Sequence, residues 1–273
     1  MKTQELRIEQ ALAPTAFAYV QKAADALGLE TYVIGGYVRD TFLDRPRGHD
    51  IDIVAVGSGI SLAKKVAEIL PGKNNIQVFK NYGTAMIKWQ NIQLEFVGAR
   101  KESYDHESRN PFVENGTLED DQNRRDFTVN ALALRLNKDG FGKLLDPFNG
   151  MQDLIAKVLR TPLNPDITYN DDPLRMLRAV RFASQLDFEI DKTSLLSIEK
   201  NKARIDILSK ERIIEEMHKL LACAVPSNGL LLLDQLGLLE LVLPEVTALK
   251  GIEEVEGQIP AFQFENQELK QLS

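Results

Sequence analysis

The chain has 273 residues, of which 33 are lysine or arginine and 40 are aspartate or glutamate, so its formal net charge is −7. Hydrophobic residues make up 44% and charged residues 27%, a composition typical of folded globular proteins and unlike that of disordered chains. No run of about 18 apolar residues occurs, which excludes a membrane-spanning helix. The acidic balance does not exclude a nucleic-acid partner, because phosphate contacts need only a local basic patch.

Two features indicate a reducing compartment. The N-terminal segment carries charged residues where a signal peptide would have its apolar core. Cys223 is the only cysteine, so the chain can form neither an internal disulfide nor a thiolate metal cluster. We therefore expect a cytoplasmic protein with no membrane association and no disulfide partner.

The hydrophobic pattern of the first region, about residues 1–150, predicts helices mixed with short strands. Helices are predicted at 15–28, 38–43 and 60–70, and strands at 31–34, 50–56, 76–79, 84–89 and 92–97. A polar stretch at 101–123 is predicted to be a long loop, 127–134 a helix, and the glycine-containing turn at 139–142 a hairpin. The second region, about 151–245, is predicted to be all helical, and 246–273 an irregular tail. This order of elements indicates an α+β fold: a mixed β-sheet head followed by a helical region.

Asp50 and Asp52 form the first constellation that indicates chemistry. They alternate with apolar residues on a predicted strand, so both side chains lie on one face, about 6–7 Å apart along the strand. Two such carboxylates suit a pair of Mg²⁺ ions about 3.5–4 Å apart. The preceding strand ends at Gly35 and Gly36, where backbone N–H groups can approach a triphosphate. Taken singly, the glycine pair more often marks a simple turn, and the two aspartates more often mark a solvated strand edge. The two motifs together, in this order and on adjacent elements, favour a nucleotide site.

A second constellation lies on a predicted helix. Asp172, Arg175, Arg178 and Arg181 recur every third residue and form a slowly winding polar stripe. A solvated surface stripe usually mixes charges of both signs, whereas three arginines without an interleaved acid favour a polyanionic partner.

Three motifs together carry a family resemblance. They are Gly35-Gly36-Tyr37-Val38-Arg39-Asp40 followed by Asp50-Ile51-Asp52, then Arg124-Arg125-Asp126-Phe127-Thr128-Val129-Asn130-Ala131, then Asp171-Asp172-Pro173-Leu174-Arg175-Met176-Leu177-Arg178-Ala179-Val180-Arg181-Phe182. In sequence and order these resemble the motifs of bacterial class II tRNA nucleotidyltransferases and poly(A) polymerases, in the DNA polymerase β superfamily. The resemblance covers about residues 30–225. It implies a polymerase β-like nucleotidyltransferase head at 1–150 and a helical neck and body at 151–245 that binds nucleotide and RNA. Because such relatives continue well past this length, the resemblance leaves three alternatives: a fragment, a frame-altered terminus or a short relative.

The resemblance assigns roles to individual residues. It implies that Asp50 and Asp52 bind metal, and that Glu95 supplies a third carboxylate that orients the primer hydroxyl or acts as general base. It implies that Asp126 lies near the ribose. The triphosphate ligands that it implies are Gly35, Gly36, Arg39, Arg125, Arg178 and Arg181. Two readings stay open: the run Arg124-Arg125-Asp126 can be a charged helix start with Asp126 as its cap or dipole partner, and Glu95 can be an outward-facing strand residue.

Asp172 and Arg175 offer a way to read a base. Cytosine and adenine each present an exocyclic amine donor beside a ring-nitrogen acceptor, which a carboxylate and a guanidinium can match. Guanine and uracil present the opposite pattern, so their buried polar groups would stay unpaired. This pair is therefore expected to accept CTP and ATP.

These observations lead to one functional hypothesis and several alternatives. We expect a Mg²⁺-dependent enzyme that adds nucleotides from CTP and ATP to the 3′ end of tRNA. A poly(A) polymerase, or an enzyme that adds only C or only A, would share this chemistry. A non-catalytic RNA-binding protein that keeps the fold is the alternative from another class.

Overall fold

The computed structural model describes residues 3–72, 74–103 and 112–251, without the side chains of residues 102, 103, 112 and 113. The chain divides into two compact units, of which the first ends at Asn164 and the second begins at Pro165. The sequence pattern placed the change at about residue 150, and the helix Gly150–Ala156 lies in the first unit. Within the described ranges, no helix has the length and apolar character needed to cross a bilayer.

The first unit combines helices with a sheet. Its helices are α1 (Gln4–Leu12), α2 (Ala16–Leu27), α3 (Gly36–Phe42), α4 (Gly59–Ile69), α5 (Leu118–Asn123) and α6 (Gly150–Ala156). Its strands are β1 (Thr31–Ile34), β2 (Asp50–Ala55), β3 (Ile76–Phe79), β4 (Thr84–Trp89), β5 (Ile92–Gly98), β6 (Arg100–Ser103), β7 (Phe112–Asn115), β8 (Ala133–Arg135), β9 (Leu144–Leu145) and β10 (Val158–Leu159).

A mixed sheet forms the centre of this unit. Its strand order is β3-β4-β5-β2-β1-β8-β9. The β2–β5 pair is parallel, and the other neighbours in this sheet pair antiparallel. The predicted strands and the hairpin around 139–142 are confirmed, because β8 pairs with β9 across that turn. The predicted helix at 15–28 is α2, which ends at Gly28 in the left-handed conformation (φ +62°).

The sheet has one fully apolar face next to α4. Ile53, Phe96 and Ile87 are completely buried on strands that α4 contacts. Because side chains alternate along a strand, Asp50 and Asp52 point to the opposite face. Burial along β2 follows this alternation, since Ile51 and Ile53 are buried while Asp50 is exposed and Asp52 half-buried. The apolar face therefore anchors β2 and leaves its carboxylates accessible.

The predicted long loop at 101–123 is wrong for the residues that the structure describes. β6 and β7 pair antiparallel, and α5 begins after Thr117. α5 is set by a capping box: the Thr117 hydroxyl accepts the backbone N–H of Asp120, whose carboxylate accepts the N–H of Thr117. Leu118 is the only apolar residue of this helix, so the sequence has no hydrophobic periodicity that would predict it. Residues 104–111, within the predicted loop, lie outside the described residues.

The predicted helix at 127–134 is also wrong. Thr128–Asn130 forms one 3-10 turn, and β8 follows it. Phe127, Val129, Leu132 and Leu134 are completely buried, and the polar residues Thr128 and Asn130 are buried as well, so the segment is buried on every side. Such a short segment has no exposed face whose period would distinguish a helix from a strand.

The second unit is largely helical, as predicted. Its elements are α7 (Pro165–Asp171), α8 (Leu174–Leu186), β11 (Glu189–Ile190), α9 (Lys192–Asn201), α10 (Lys210–Leu221), α11 (Pro226–Gln235), α12 (Leu239–Val242) and α13 (Pro244–Thr247). α10 and α11 pack against α8, whose residues Met176, Leu177 and Val180 are completely buried. The predicted tail beyond residue 251 lies outside the described residues.

Candidate functional site

Three carboxylates lie on neighbouring strands of the first unit. Asp50 and Asp52 occupy the beginning of β2, and the parallel register places Asp52 beside Glu95 of β5. Residues that pair in register share a face of the sheet. Asp50 is exposed, whereas Asp52 and Glu95 are half-buried. The structure therefore brings together the two acids of one motif and the distant acid that only the resemblance had implied.

The pKa values of Asp52 and Glu95 are both raised, mainly by burial and further by neighbouring carboxylates. Burial is the main cause of the raised pKa of Asp52; Asp121 and Asp50 add to it, while Arg125 and Arg124 oppose it. Burial also raises the pKa of Glu95, followed by the charges of Asp52 and Asp50. A bound cation would relieve this mutual repulsion, as expected for a site that holds a metal or a developing positive charge.

The raised pKa of Asp52 predicts an effect on stability. A carboxyl group with a higher pKa in the folded state binds its proton more tightly when folded, so stability falls as pH rises through that range. We expect metal-free Asp52→Asn to have a higher Tm than the unaltered protein at pH 7. The difference should narrow toward about pH 4, the ordinary pKa of Asp. Thermal unfolding of both proteins in a chelator between pH 4 and pH 7 measures this difference in Tm. A lower Tm for Asp52→Asn than for the unaltered protein at pH 7 would contradict the prediction.

Gly35 brings the backbone close to Asp52. It stands at the end of β1 with φ +86° and ψ −144°, a conformation that favours glycine. A Cβ at this position would lie 3.0 Å from Arg125 Nη1 and 3.2 Å from Asp52 Oδ2. Gly36 follows as the first residue of α3, where a Cβ would lie 3.5 Å from Arg39 Nη2. The glycine pair thus leaves its backbone open between a carboxylate and two guanidinium groups.

Arg39 is buried and fixed by the protein. Its side chain donates to both carboxylate oxygens of Asp40, at 2.9 and 3.1 Å, and through Nη1 to Asn130 Oδ1 at 2.7 Å. Its residue is only 4% exposed. The predicted contact of Arg39 with the triphosphate stays a prediction; the structure shows how the guanidinium is held.

Arg124 and Arg125 follow α5 and share one acid. Asp121 is completely buried and accepts hydrogen bonds from both guanidinium groups. Although burial raises the pKa of Asp121, the two arginines outweigh it and hold that pKa below its usual value. The alternative reading of this motif as a charged helix start is wrong, because the arginines lie at the end of α5.

Asp126 is buried beside this arginine pair and organises the next turn. Its Oδ1 accepts the backbone N–H of Phe127 and the side-chain amide of Asn130, both at 2.9 Å. Asn130 in turn accepts from Arg39. Asp126 therefore helps to fix the chain that contacts Arg39, as a cap would, and its predicted place near a ribose stays a prediction.

The donor set of the site fits Mg²⁺. Within the described ranges, no group of three or more His, Cys, Asp or Glu side chains could hold a metal ion by itself. Asp50 and Asp52 provide hard oxygen ligands on one strand face. Mg²⁺ in proteins typically takes one or two carboxylates and completes its shell with water and substrate phosphates. The residues present therefore suit a metal that arrives with a nucleotide.

In the second unit, Asp172 lies two residues before α8 and is therefore not on the helix predicted to carry it, whereas Arg175 is the second residue of α8. Asp172 Oδ1 accepts the backbone N–H of Leu174 at 3.2 Å and so supports the first turn. Arg175 is 8% exposed and donates through Nη1 to the carbonyl oxygen of Thr168 at 3.3 Å. Both side chains are thus anchored by their own unit, and their predicted reading of a base stays a prediction.

The remaining arginines of α8 meet an acid that the sequence pattern did not reveal. Glu216 of α10 is buried and accepts from Arg181 Nε at 2.6 Å; its other oxygen lies 3.8 Å from Arg178 Nη1. Arg181 also donates to Gln185 at 2.7 Å. The stripe itself has no interleaved acid, as the sequence shows, but an acid from another helix partners its arginines. Arg181 is 6% exposed and joins α8 to α10.

We expect a large loss of stability when the buried pair of Arg181 and Glu216 is broken. Glu216→Ala would remove the buried carboxylate that accepts from Arg181 Nε, and breaking a buried ion pair typically costs about 3–5 kcal/mol of unfolding free energy. Lys219→Ala is the matched control, because Lys219 contacts the same carboxylate but its side chain is 54% exposed. It should cost at most about 1 kcal/mol. Urea unfolding of both variants measures these unfolding free energies. Equal losses for Glu216→Ala and Lys219→Ala would contradict a stabilising role for the buried pair of Arg181 and Glu216.

Sequence reasoning missed four residues that the structure places around these sites: Asp40, Asp121, Asn130 and Glu216. Asp40 and Asn130 fall inside recognised motifs and could have been proposed as partners of Arg39. Asp121 stands one helical turn before the arginine pair, a spacing that signals an ion pair on a helix. For Glu216 the sequence holds no such signal, because its partner lies on a distant helix.

Both the sheet-containing region and the helical region are similar to known proteins. Residues 31–160 match the family model described as Poly A polymerase head domain. Residues 187–250 match the model described as Probable RNA and SrmB- binding site of polymerase A. The A-adding tRNA nucleotidyltransferase of Aquifex aeolicus is 38% identical over 191 residues, which are 69% of this chain and 23% of that protein. The CCA-adding enzyme of Pediococcus pentosaceus is 36% identical over 219 residues, 79% of this chain and 52% of that protein.

Solved structures agree with the sequence matches. A tRNA nucleotidyltransferase complexed with a primer tRNA and an incoming ATP analog matches with a TM-score of 0.71 and 31% identity, over 87% of this chain and 64% of that one. A CCA-adding enzyme with CTP matches with a TM-score of 0.77 and 27% identity, over 89% of this chain and 57% of that one. The chain spans about half the length of the CCA-adding enzymes it matches. The two family models and these similarities show that the chain belongs to the tRNA nucleotidyltransferase and poly(A) polymerase family, with a polymerase β-like head followed by a helical region.

Proposed function

We propose that this chain carries the catalytic head and the adjoining RNA-binding region of a tRNA nucleotidyltransferase that adds C and A from CTP and ATP to the tRNA 3′ end. The head corresponds to about residues 1–150, the nucleotide- and RNA-binding helices to 151–245, and the tail to 246–273. The observation that carries the proposal is the site at β2: Asp50 and Asp52 beside Glu95, with Gly35 and Arg125 against Asp52. A cytoplasmic location accords with the tRNA substrate and the single cysteine.

The nucleotide would lie on the β1 side of the carboxylates. Gly35 and Gly36 leave room for phosphate oxygens next to Asp52. Arg125 offers a guanidinium at that point, and Arg39 stands behind Gly36. Guanidinium groups bind phosphate oxygens in a fixed geometry, so these groups would orient the triphosphate.

The primer hydroxyl would approach from the β5 side. β1 and β5 flank β2 on opposite edges, and Glu95 stands on β5 beside Asp52. In-line displacement requires the attacking oxygen and the leaving pyrophosphate on opposite sides of the phosphorus. Glu95, whose pKa is raised by burial and by Asp52, would orient the hydroxyl and take up its proton.

Asp50 and Asp52 would hold Mg²⁺, which supplies activation of the hydroxyl and neutralisation of charge on the leaving group. Arg125 favours the ionised form of Asp52, the form that binds a cation. Asp172 and Arg175 would read the base, and Arg178 would contact phosphate. Arg181 is the weakest of the proposed phosphate ligands, because Glu216 and Gln185 already accept its hydrogen bonds.

Addition of A alone is the second candidate. It is favoured by similarity to two A-adding tRNA nucleotidyltransferases, those of Aquifex aeolicus at 38% identity and Geobacter sulfurreducens at 33%. Because the proposed base-reading pair matches both cytosine and adenine, the residues described here do not favour one nucleotide over the other.

A primer-extension assay tests these proposals. The chain is incubated with Mg²⁺ and with both CTP and ATP, of which one is labelled, and with tRNA that ends either before CCA or after its two cytidines. CCA addition predicts both labels on the first tRNA and only A on the second. A addition alone predicts label only from ATP on the second, whereas a poly(A) polymerase would extend unrelated RNA with many adenylates. Binding of tRNA without incorporation of either label would indicate a non-catalytic RNA-binding protein.

A further inference from the structure

Asp121 divides its two oxygens between two arginines. Oδ1 accepts from Arg124 Nε at 3.0 Å and Nη2 at 2.5 Å. Oδ2 accepts from Arg125 Nε at 3.3 Å and Nη2 at 3.2 Å. The carboxylate is completely buried and so cannot exchange these partners for water. Each guanidinium is therefore held along one edge by a fixed acceptor.

The opposite end of Arg125 reaches the proposed nucleotide site. Nη1 donates to the carbonyl oxygen of Asn130 at 3.4 Å. The same Nη1 lies 3.0 Å from the point where a Cβ of Gly35 would stand, and that point is 3.2 Å from Asp52 Oδ2. The guanidinium thus has Asp121 along one edge and the glycine turn with Asp52 at its other end.

We propose that Asp121 is a positioning residue, which orients the Arg125 guanidinium beside Asp52 and thereby sets the affinity of the site for the nucleoside triphosphate. The proposal rests on the proposed function, since it assigns a nucleotide to this site. In this role Asp121 acts on the nucleotide through Arg125, because its buried carboxylate oxygens are occupied by the two arginines. A flexible arginine side chain loses less entropy on binding a phosphate when a second group already fixes its rotamer.

The direction in which nucleotide binding changes when Asp121 is substituted distinguishes positioning from two other roles. Removing a negative charge near a polyanion should strengthen nucleotide binding if Asp121 acts only through its charge. If Asp121 merely stabilises the fold, its loss should lower the Tm and the active fraction, and KM should not move. Positioning alone predicts weaker nucleotide binding by the folded variant.

The test is steady-state kinetics of Asp121→Asn with CTP and ATP, alongside thermal unfolding. We expect KM for both nucleotides to rise about ten- to a hundredfold, the usual loss when charge-assisted hydrogen bonds are broken. Arg124→Gln is the matched control, because it removes the other partner of Asp121, and KM should stay within about twofold. Asp121→Glu, which keeps the charge, should recover part of the loss.

A double substitution tests the route through Arg125. In an Arg125→Gln background, Asp121→Asn should leave KM unchanged, because the group that it orients is gone. If Asp121→Asn fails to fold, Asp121→Asn with Arg124→Gln restores the charge balance and still leaves Arg125 without its acceptor, so KM should still rise. If a folded Asp121→Asn protein has an unchanged or lower KM, the positioning role of Asp121 is wrong. Incorporation of nucleotide by the wild-type chain would still support the proposed function in that case. Absence of nucleotide binding and incorporation in the wild type overturns both.

Discussion

Asp52→Asn is expected to reduce kcat by about a thousandfold or more with CTP and with ATP. Asparagine keeps the size of the side chain but loses the charge, and a contact made to the transition state is typically worth several kcal/mol. The fold should survive, because Asp52 is half-buried at the start of β2 and burial already disfavours its ionised form. Single-turnover incorporation of labelled nucleotide, with a Tm for each protein, measures the effect.

The control for this result is Asp139→Asn, an aspartate in the exposed turn between β8 and β9. It carries the same change of charge away from the three carboxylates and should leave kcat unaltered. Asp50→Asn should resemble Asp52→Asn, since both acids stand on the same strand face. An Asp52→Asn or Asp50→Asn protein that keeps more than about a tenth of wild-type kcat would refute the assignment of these two residues to the metal site.

Arg175→Ala is expected to narrow the preference for CTP and ATP over UTP and GTP by about 5- to 150-fold. A good bidentate contact between a side chain and a base contributes about 1–3 kcal/mol of discrimination. The measurement is the ratio of kcat/KM values for the four nucleotides. This ratio does not depend on the concentration of active enzyme, which matters because Arg175 is 8% exposed and its loss can also destabilise α8.

Arg178→Ala provides the comparison. Its side chain is 32% exposed and stands one helical turn further along α8, so a contact with phosphate would be independent of the base. We expect it to weaken the use of all four nucleotides by a similar factor. If Arg175→Ala slows every nucleotide equally, Asp172 and Arg175 do not read the base, and their contacts with Leu174 and Thr168 describe their role.

Strand positions in the head were predictable because local chemistry defines their limits. Gly35 and Gly36 end β1, Pro71 and Gly72 separate α4 from β3, and alternation of acids with apolar residues marks β2. α5 and β8 were not predictable in this way. α5 depends on a capping box rather than on an apolar face, and β8 lies in a segment that is buried on all sides.

The site was predictable to the extent that its residues are close in sequence. Asp50 and Asp52 share a face for reasons of strand geometry alone. Glu95 entered only through the resemblance, because its place beside Asp52 depends on the parallel β2–β5 register. The pairing of Arg181 with Glu216 depends on how α8 and α10 pack, which no spacing within α8 encodes.

The parallel pairing of β2 with β5 also determines when this site can exist during folding. Parallel neighbours require a crossover connection, and here α4, β3 and β4 lie between the two strands. Asp50 and Asp52 leave the ribosome long before Glu95, so the acids converge only after a non-local contact closes. A nascent head in which β2 has been synthesised but β5 has not therefore lacks the complete acidic centre. Ligands that need all three carboxylates bind only the assembled sheet, and their binding stabilises that sheet by mass action.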